Sequence, residues 1–167
     1  MPEKKTLQRA RRDRREGKST STQAGEFVRE EIHHIREGKH GARSTKQAIA
    51  IGLSKARRAG VRLKPPKKGT VSEETRHNAE RAYEAGADRK SKKTSTRRSR
   101  ATEGALKREG HSAASPRALS TQAHRAATKR SPAQRSAAAR RAARTKGSAV
   151  RSAAARKAAR TRAARAS

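Results

Sequence analysis

The chain has 167 residues, of which 46 are Lys or Arg and 14 are Asp or Glu, so its formal net charge is +32 with the histidines neutral. Alanine supplies 34 of its 50 hydrophobic residues, whereas Leu, Ile, Val and Phe together number only 14. So few large apolar side chains exclude a single globule of this length. The composition predicts a mostly α fold with extensive disorder.

The N-terminal 21 residues are predicted to be a basic disordered arm. Residues 7–18 form a mixed-charge run in which Leu7 is the one large apolar side chain. Such a segment cannot bury enough apolar surface to offset the entropy of ordering it. It is interpreted as a solvated arm or a frayed helix that ends at Gly17.

Residues 22–64 are predicted to fold as a small helical hairpin, because nine of the 14 Leu, Ile, Val and Phe residues lie there. The first helix, at about 22–37, carries an apolar stripe with spacings of four, four and three. The stripe consists of Ala24, Val28, Ile32 and Ile35. The second helix, at about 45–59, opens on a capping box of Ser44 and Gln47.

The second helix of this hairpin also carries a ridge of small residues. Ala48, Gly52 and Ala56 recur at intervals of four, which lets another helix approach closely. Nine large apolar side chains leave the hairpin marginally stable by itself. We therefore expect a third helix to dock on it, or the chain to associate as a homo-oligomer.

The remaining residues divide into three parts. Residues 65–86 are predicted to be a linker with a short third helix at about 72–85, which contains an Arg76–Glu80 ion pair. Residues 87–134 are predicted to be a disordered basic linker, and residues 135–167 an Ala/Arg repeat tail. No acidic residue follows Glu109, although residues 110–167 hold 15 basic ones. Such like-charge blocks are usually disordered interaction tails.

The tail contains an internal repeat. Residues 135–145 read RSAAARRAART and residues 151–161 read RSAAARKAART, so 10 of 11 positions agree. Alanine favours a helix, but like charges four residues apart oppose it. The tail is therefore predicted to be disordered or marginally helical until phosphate neutralises the arginines.

This charge distribution predicts sequence-nonspecific binding of duplex DNA by phosphate neutralisation, as in a nucleoid-associated or histone-like protein. The tail residues expected to contact phosphate are Arg135, Arg140, Arg141, Arg144, Lys146, Arg151, Arg156, Lys157, Arg160, Arg162 and Arg165. A second basic surface is expected from Lys46, Lys55, Arg57 and Arg58 of the second helix.

Two other functions remain open. An RNA- or ribosome-associated protein would carry similar charge, although RNA modules usually stack bases on aromatic rings and the chain has only Phe27 and Tyr83. A protein-interaction module is the other alternative, in which the hairpin recognises a partner and the tail is a basic tether.

Several classes are not expected. The chain lacks cysteine, and no Ser, His and Asp combination has a framework to position it, so neither an enzyme nor a cofactor is predicted. His33, His34 and His40 lie near Glu30 and Glu37, but a solvated helix face explains them better than a metal site. No signal peptide, membrane span or membrane-surface partner is predicted, and we expect a cytoplasmic protein at the nucleoid.

Residues 28–60 resemble a bacterial family of small basic proteins of unknown function. The recognisable core is KQAIAIGLSKARRAG, from Lys46 to Gly60, preceded by His33, Gly38 and Lys39. The resemblance implies a bacterial intracellular origin and little about chemistry. The Ala/Arg-rich tail resembles those of linker histones and bacterial histone-like proteins in composition, with Arg favoured over Lys.

Overall fold

Helices make up 76 % of the residues that the computed structural model describes, which are 1–87 and 95–166. The described part of the chain contains no strand. Its α-helices are α1 (Lys4–Arg15), α2 (Thr20–Arg36), α3 (Thr45–Arg58), α4 (Glu73–Ala87), α5 (Thr96–Lys107), α6 (Pro116–Thr128) and α7 (Pro132–Ala166), with a short 3-10 helix at Ser112–Ala114. Two compact units, Met1–Gln122 and Ala123–Ser167, divide the chain within α6.

Helices α2 and α3 form an antiparallel hairpin. Ile35, near the end of α2, shares a buried cluster with Ala48 at the start of α3. Phe27, nearer the start of α2, shares a second cluster with Ala56 at the end of α3. The Ser44 hydroxyl caps α3 by accepting a hydrogen bond from the backbone N–H of Gln47 at 3.2 Å, as the capping box predicts.

The two helices of the hairpin approach each other closely at Gly52. A Cβ atom at this position would lie 2.6 Å from the Cα atom of Val28, so only glycine allows this approach. Ala48 and Ala56, one turn away on either side, are fully buried. The predicted ridge of small residues is therefore confirmed as the contact surface of α3.

Helix α1 packs on α2 through a narrow face. Thr6, Ala10 and Asp13 are buried along this face, and Leu7 packs against the cluster that contains Phe27. The Asp13 carboxylate accepts a hydrogen bond from the Lys18 ammonium group at 2.7 Å, and this bond raises the pKa of Lys18. The N-terminal segment therefore belongs to the folded unit.

Helix α4 packs on α3, where its alanines replace the large side chains of an ordinary core. Ala79 and Ala82 are 7 % and 1 % exposed, which identifies the buried face of α4. Gly86 lies against the backbone carbonyl of Arg57, at a point where a Cβ atom would collide with the oxygen. The expected docking of a third helix is thus present, and self-association stays a prediction.

The end of α5 and the segment that follows it close the other end of the hairpin. The Gly41 N–H donates to the carbonyl of Leu106 at 2.9 Å, and the Thr45 hydroxyl donates to the carbonyl of Ala113 at 2.7 Å. The Arg36 guanidinium donates to the carbonyl of Ala114 at 2.8 Å. Ala113 and Ala114 are both buried in the cluster around Ile35. Hydrogen bonds to its backbone carbonyls and the burial of alanine order this stretch.

The predicted fold class is wrong about disorder. The expected disordered arm contains α1, and the expected disordered linker contains α5, the 3-10 helix and α6. Residues 88–94 of that linker lie outside the described residues. Counting large apolar side chains misses α1 and the 3-10 helix because their buried positions hold alanine, threonine and even Asp13, whereas α5 and α6 are helices without a buried residue.

The tail, expected to be disordered or marginally helical, is the helix α7. Alanine and arginine both rank high in helix propensity, and the gain from many such residues is cumulative. Each like-charge pair four residues apart opposes the helix by only about 0.2–0.5 kcal/mol. The prediction gave too much weight to repulsion and too little to propensity.

Replacing Gly52 by alanine tests the close approach of α2 and α3. We expect Gly52→Ala to lower the free energy of unfolding by about 1–3 kcal/mol, because the new methyl group overlaps the Val28 backbone. The matched control is Gly25→Ala in α2, where a Cβ atom meets nothing within 4 Å. Removing this exposed helical glycine should raise stability by about 0.5–1 kcal/mol. Chemical denaturation followed by circular dichroism measures the free energy of unfolding of both variants. Equal changes in the two would contradict the close contact of α2 and α3 at Gly52.

Candidate nucleic-acid interface

The element with the largest net charge is α7, which holds nine arginines, two lysines and no acidic residue among its 35 residues. At 1.5 Å per residue, these cations are distributed along a helical path of about 52 Å. None of the 35 residues is buried among those whose side chains the structure describes. The side chains of α7 that the structure describes are therefore an exposed source of positive charge.

Cations surround α7 instead of forming one stripe. Arg140, Arg141 and Arg144 span about 100° of the helix circumference in the first repeat. In the second repeat, Arg156 and Arg160 lie about 140–180° around the helix from Arg151. The spaces between them hold alanine, so α7 has no wide apolar face to bury against another element.

A break at Gly147 divides α7 into two helical segments. Its backbone angles, φ 70° and ψ 167°, lie outside the helical region and in a region that side chains with a Cβ atom rarely adopt. The break falls between the two copies of the repeat. Each copy therefore lies on its own helical segment, residues 132–146 or 148–166.

The structure places all the predicted tail residues in α7. The side chains of ten of them are exposed, and they are Arg135, Arg140, Arg141, Arg144, Arg151, Arg156, Lys157, Arg160, Arg162 and Arg165. The side chain of Lys146 lies outside the described part. Arg151 Nε donates to the carbonyl of Gly147 at 3.1 Å, which holds its guanidinium beside the break. The repeat thus gathers the predicted residues in one element.

The predicted second surface on α3 is not brought together in this way. Lys46 and Arg58 are exposed but lie at opposite ends of α3. Lys55 Nζ binds the buried carboxylate of Glu31 at 2.6 Å. Arg57 is 7 % exposed and donates through Nε to the carbonyl of Leu63 at 3.1 Å. Lys55 and Arg57 thus have internal partners, and the expectation that all four share one surface needs correction.

Burial has an electrostatic effect on Arg57. Desolvation of the charged guanidinium lowers the pKa of this side chain. Arginine nevertheless stays protonated at physiological pH, so Arg57 is a buried cation that links the end of α3 to the segment after it. Sequence spacing alone gives no signal that separates it from its exposed neighbour Arg58.

A further basic surface lies on α1, which sequence reasoning assigned to a disordered arm. With Thr6, Ala10 and Asp13 facing α2, the opposite side of the helix exposes a set of cations. These are Lys4, Lys5, Arg11, Arg12, Arg14 and Arg15. The signal that could have found this surface is the spacing of the three buried residues at four and three.

The histidines near α2 are placed differently from the expectation. His33 pairs with Glu37 at 3.0 Å, as a solvated helix face predicts. His34 lies instead with His40 and the buried Glu31, and one ligand atom of each is within 4.8 Å of the others. Glu31 was missed as their neighbour, although its spacing of three from His34 puts both on one face of α2. The ligand atoms of these three residues are thus close to one another in space.

A family model described as a family of unknown function (DUF6496) matches residues 3–68. The match is consistent with the expected resemblance of this part of the chain to a family of unknown function. The match begins just before α1 and ends before α4, so it includes the hairpin and α1, which packs on α2. The role of residues 46–60 as the core of the motif, and the histone-like character of the tail, stay predictions.

The searches of curated proteins and of solved structures find no match to the chain. In the described residues, no helix is both long enough and apolar enough to cross a membrane. The helix α7 lies outside the family match, so its interpretation depends on its own chemistry.

Paired substitutions distinguish the structural arginine from its exposed neighbour. We expect Arg57→Met to lower the free energy of unfolding by about 1–3 kcal/mol, because the carbonyl of Leu63 loses the partly buried hydrogen bond from Arg57. Arg58→Met, at an exposed position of the same helix, should change it by no more than about 0.5 kcal/mol. Urea denaturation of the two variants measures the difference. A smaller loss for Arg57→Met than for Arg58→Met would contradict the assignment.

Proposed function

We propose that this protein binds duplex DNA without sequence preference, through phosphate neutralisation by α7. The observation that carries the proposal is the exposed helix of eleven cations with no acidic residue and no wide apolar face. A helix of this composition gains nothing from packing against a hydrophobic core. Its natural partner is a polyanion.

The charge spacing of α7 supports this partner. Double-stranded DNA carries one negative charge about every 1.7 Å of its axis, and each phosphate neutralised releases condensed counterions. A path of about 52 Å along α7 therefore has more phosphates beside it than it has cations. Contacts with six to ten phosphates would make affinity fall about 10³–10⁵-fold between about 50 and 200 mM salt.

The residue types favour backbone contact over base readout. Nine of the eleven cations are arginines, whose planar guanidinium can bind two phosphate oxygens at once. The intervening alanines offer no hydrogen-bond donor or acceptor to a base edge. A helix about 10–12 Å across fits the major groove of B-DNA, which is about 12 Å wide. The proposed complex therefore has affinity without sequence discrimination.

Aromatic content favours binding to a nucleic-acid backbone over recognition of unpaired bases. Phe27 is buried in the hairpin, and Tyr83 is a single half-buried ring on α4. Neither offers the exposed stacking platform on which RNA modules bind unpaired bases. The proposed role is a noncatalytic, histone-like one at the nucleoid in the cytoplasm. An RNA- or ribosome-associated role is the alternative, and the test below separates the two.

Neutralising part of α7 tests the proposal through the salt dependence of binding. The variant carries four Arg→Gln substitutions, at Arg140, Arg144, Arg156 and Arg160. Each lost phosphate contact should reduce the slope of log affinity against log salt by about 0.9, so the slope should fall by up to about 3.6. The substitutions also remove like-charge pairs, so α7 should stay helical by circular dichroism.

The matched control removes the same number of charges from the first unit. It carries Arg→Gln substitutions at Arg11, Arg14, Arg15 and Arg43. If α7 supplies the contacts, the control should lose less of the salt slope than the α7 variant. An equal or larger loss in the control would assign the interface to the first unit, and tighter binding of structured RNA than of duplex DNA at equal salt would favour the alternative.

A further inference from the structure

Three side chains of metal-ligating type converge near the end of α2. Glu31 and His34 lie on one face of α2, and His40 lies in the loop that leads to α3. Glu31 is fully buried, whereas the side chains of His34 and His40 are 12 % and 16 % exposed. The cluster therefore has a buried carboxylate at its base and two imidazoles at its edge.

The carboxylate of Glu31 has one partnered and one unpartnered oxygen. Oε2 accepts a hydrogen bond from Lys55 Nζ at 2.6 Å. Oε1 is buried without a hydrogen-bond partner and lies 3.4 Å from Nε2 of His40. A buried carboxylate oxygen without a donor is costly, so a positive charge beside Oε1 would stabilise it.

The other ring nitrogen of His40 determines whether Nε2 carries a hydrogen or a lone pair. Nδ1 lies 3.1 Å from the carbonyl oxygen of Gly41, and a carbonyl can only accept, so Nδ1 carries the hydrogen. In the neutral ring, Nε2 then presents its lone pair toward Oε1 of Glu31. Two lone pairs facing each other at this distance require a cation or a proton between them.

His34 is held in a comparable way by Glu3. Its Nε2 lies 2.8 Å from Oε1 of Glu3, and donation of the Nε2 hydrogen to this carboxylate leaves Nδ1 with the lone pair. The hydrogen bond from His34 lowers the pKa of Glu3. A carboxylate or carbonyl that holds one nitrogen of an imidazole is the usual outer-sphere support of a metal-ligating histidine.

We propose that Glu31, His34 and His40 bind a divalent cation of the zinc type. Two imidazoles and one carboxylate form a ligand set that zinc uses in sites that keep a fourth position open. Ligand atoms about 2.0–2.2 Å from a tetrahedral ion lie roughly 3.3–3.6 Å from one another. The separation of 3.4 Å between Glu31 and His40 already meets this requirement.

Lys55 offsets part of the negative charge of Glu31 at the proposed site. Its ammonium group neutralises Oε2 of Glu31 without reaching Oε1, so the carboxylate can bind a cation through the free oxygen.

The experiment is a calorimetric titration of the full chain with zinc chloride near neutral pH. The protein is first freed of nucleic acid at high salt, since bound phosphates would themselves take up zinc. We expect one zinc ion per chain, with affinity reduced about 100-fold or more in Glu31→Gln and in His40→Ala. Glu3→Ala, which removes only the support of His34, should weaken binding about 10–100-fold.

His33→Ala is the matched control, because His33 is a neighbouring histidine on α2 that is 67 % exposed and pairs with Glu37. It should bind zinc like the unmodified chain. Cobalt(II) substitution gives a second readout, since tetrahedral coordination produces visible absorption bands that His40→Ala should remove. If Glu31→Gln fails to fold, His40→Ala decides the matter, because its partly exposed loop position is tolerant of truncation.

Two results would overturn the proposal. The first is equal zinc affinity in His40→Ala and the unmodified chain, which would place any bound ion elsewhere. The second is no zinc binding by the unmodified chain at micromolar concentrations, in which case a proton on His40 is the charge that faces Glu31. Neither result bears on DNA binding by α7, so this test is independent of the proposed function.

Discussion

The shortage of large apolar side chains is the constraint on which the folded unit depends. With so little apolar surface per residue, helices gain enough from packing only if their backbones approach very closely. Gly52 permits this between α3 and α2, and Gly86 permits it between α4 and α3. Buried alanines then fill the remaining space, so contact at short range replaces a thick hydrophobic layer.

Sequence patterns predicted the hairpin because its large apolar residues have a clear helical period. The expected helices at 22–37 and 45–59 correspond to α2 and α3 within two residues at each end. The ridge through Gly52 followed from residue size alone. These are the segments where periodicity, capping and small-residue spacing all indicate the same structure.

The rest depended on information that spacing does not contain. Helix α1 buries Thr6 and Asp13, which a count of apolar residues treats as solvent-exposed. In α3, the partners of Lys55 and Arg57 come from α2 and from the segment after α3, so their internal roles are tertiary properties. Sequence patterns identified the residues of α7 as an exposed cationic set but underestimated how much of the segment is helical. The helix propensity of its alanines and arginines and the repulsion between its arginines oppose each other there.

The break at Gly147 has a geometric consequence for a partner that winds. The groove of B-DNA completes one turn in about 34–36 Å, so a straight rod can follow it only over a fraction of that pitch before it departs along the tangent. A rigid α7 of about 52 Å would leave the groove well before its end. Two rods joined at a glycine, each with its own copy of the arginine–alanine repeat, can instead follow the curve as successive chords.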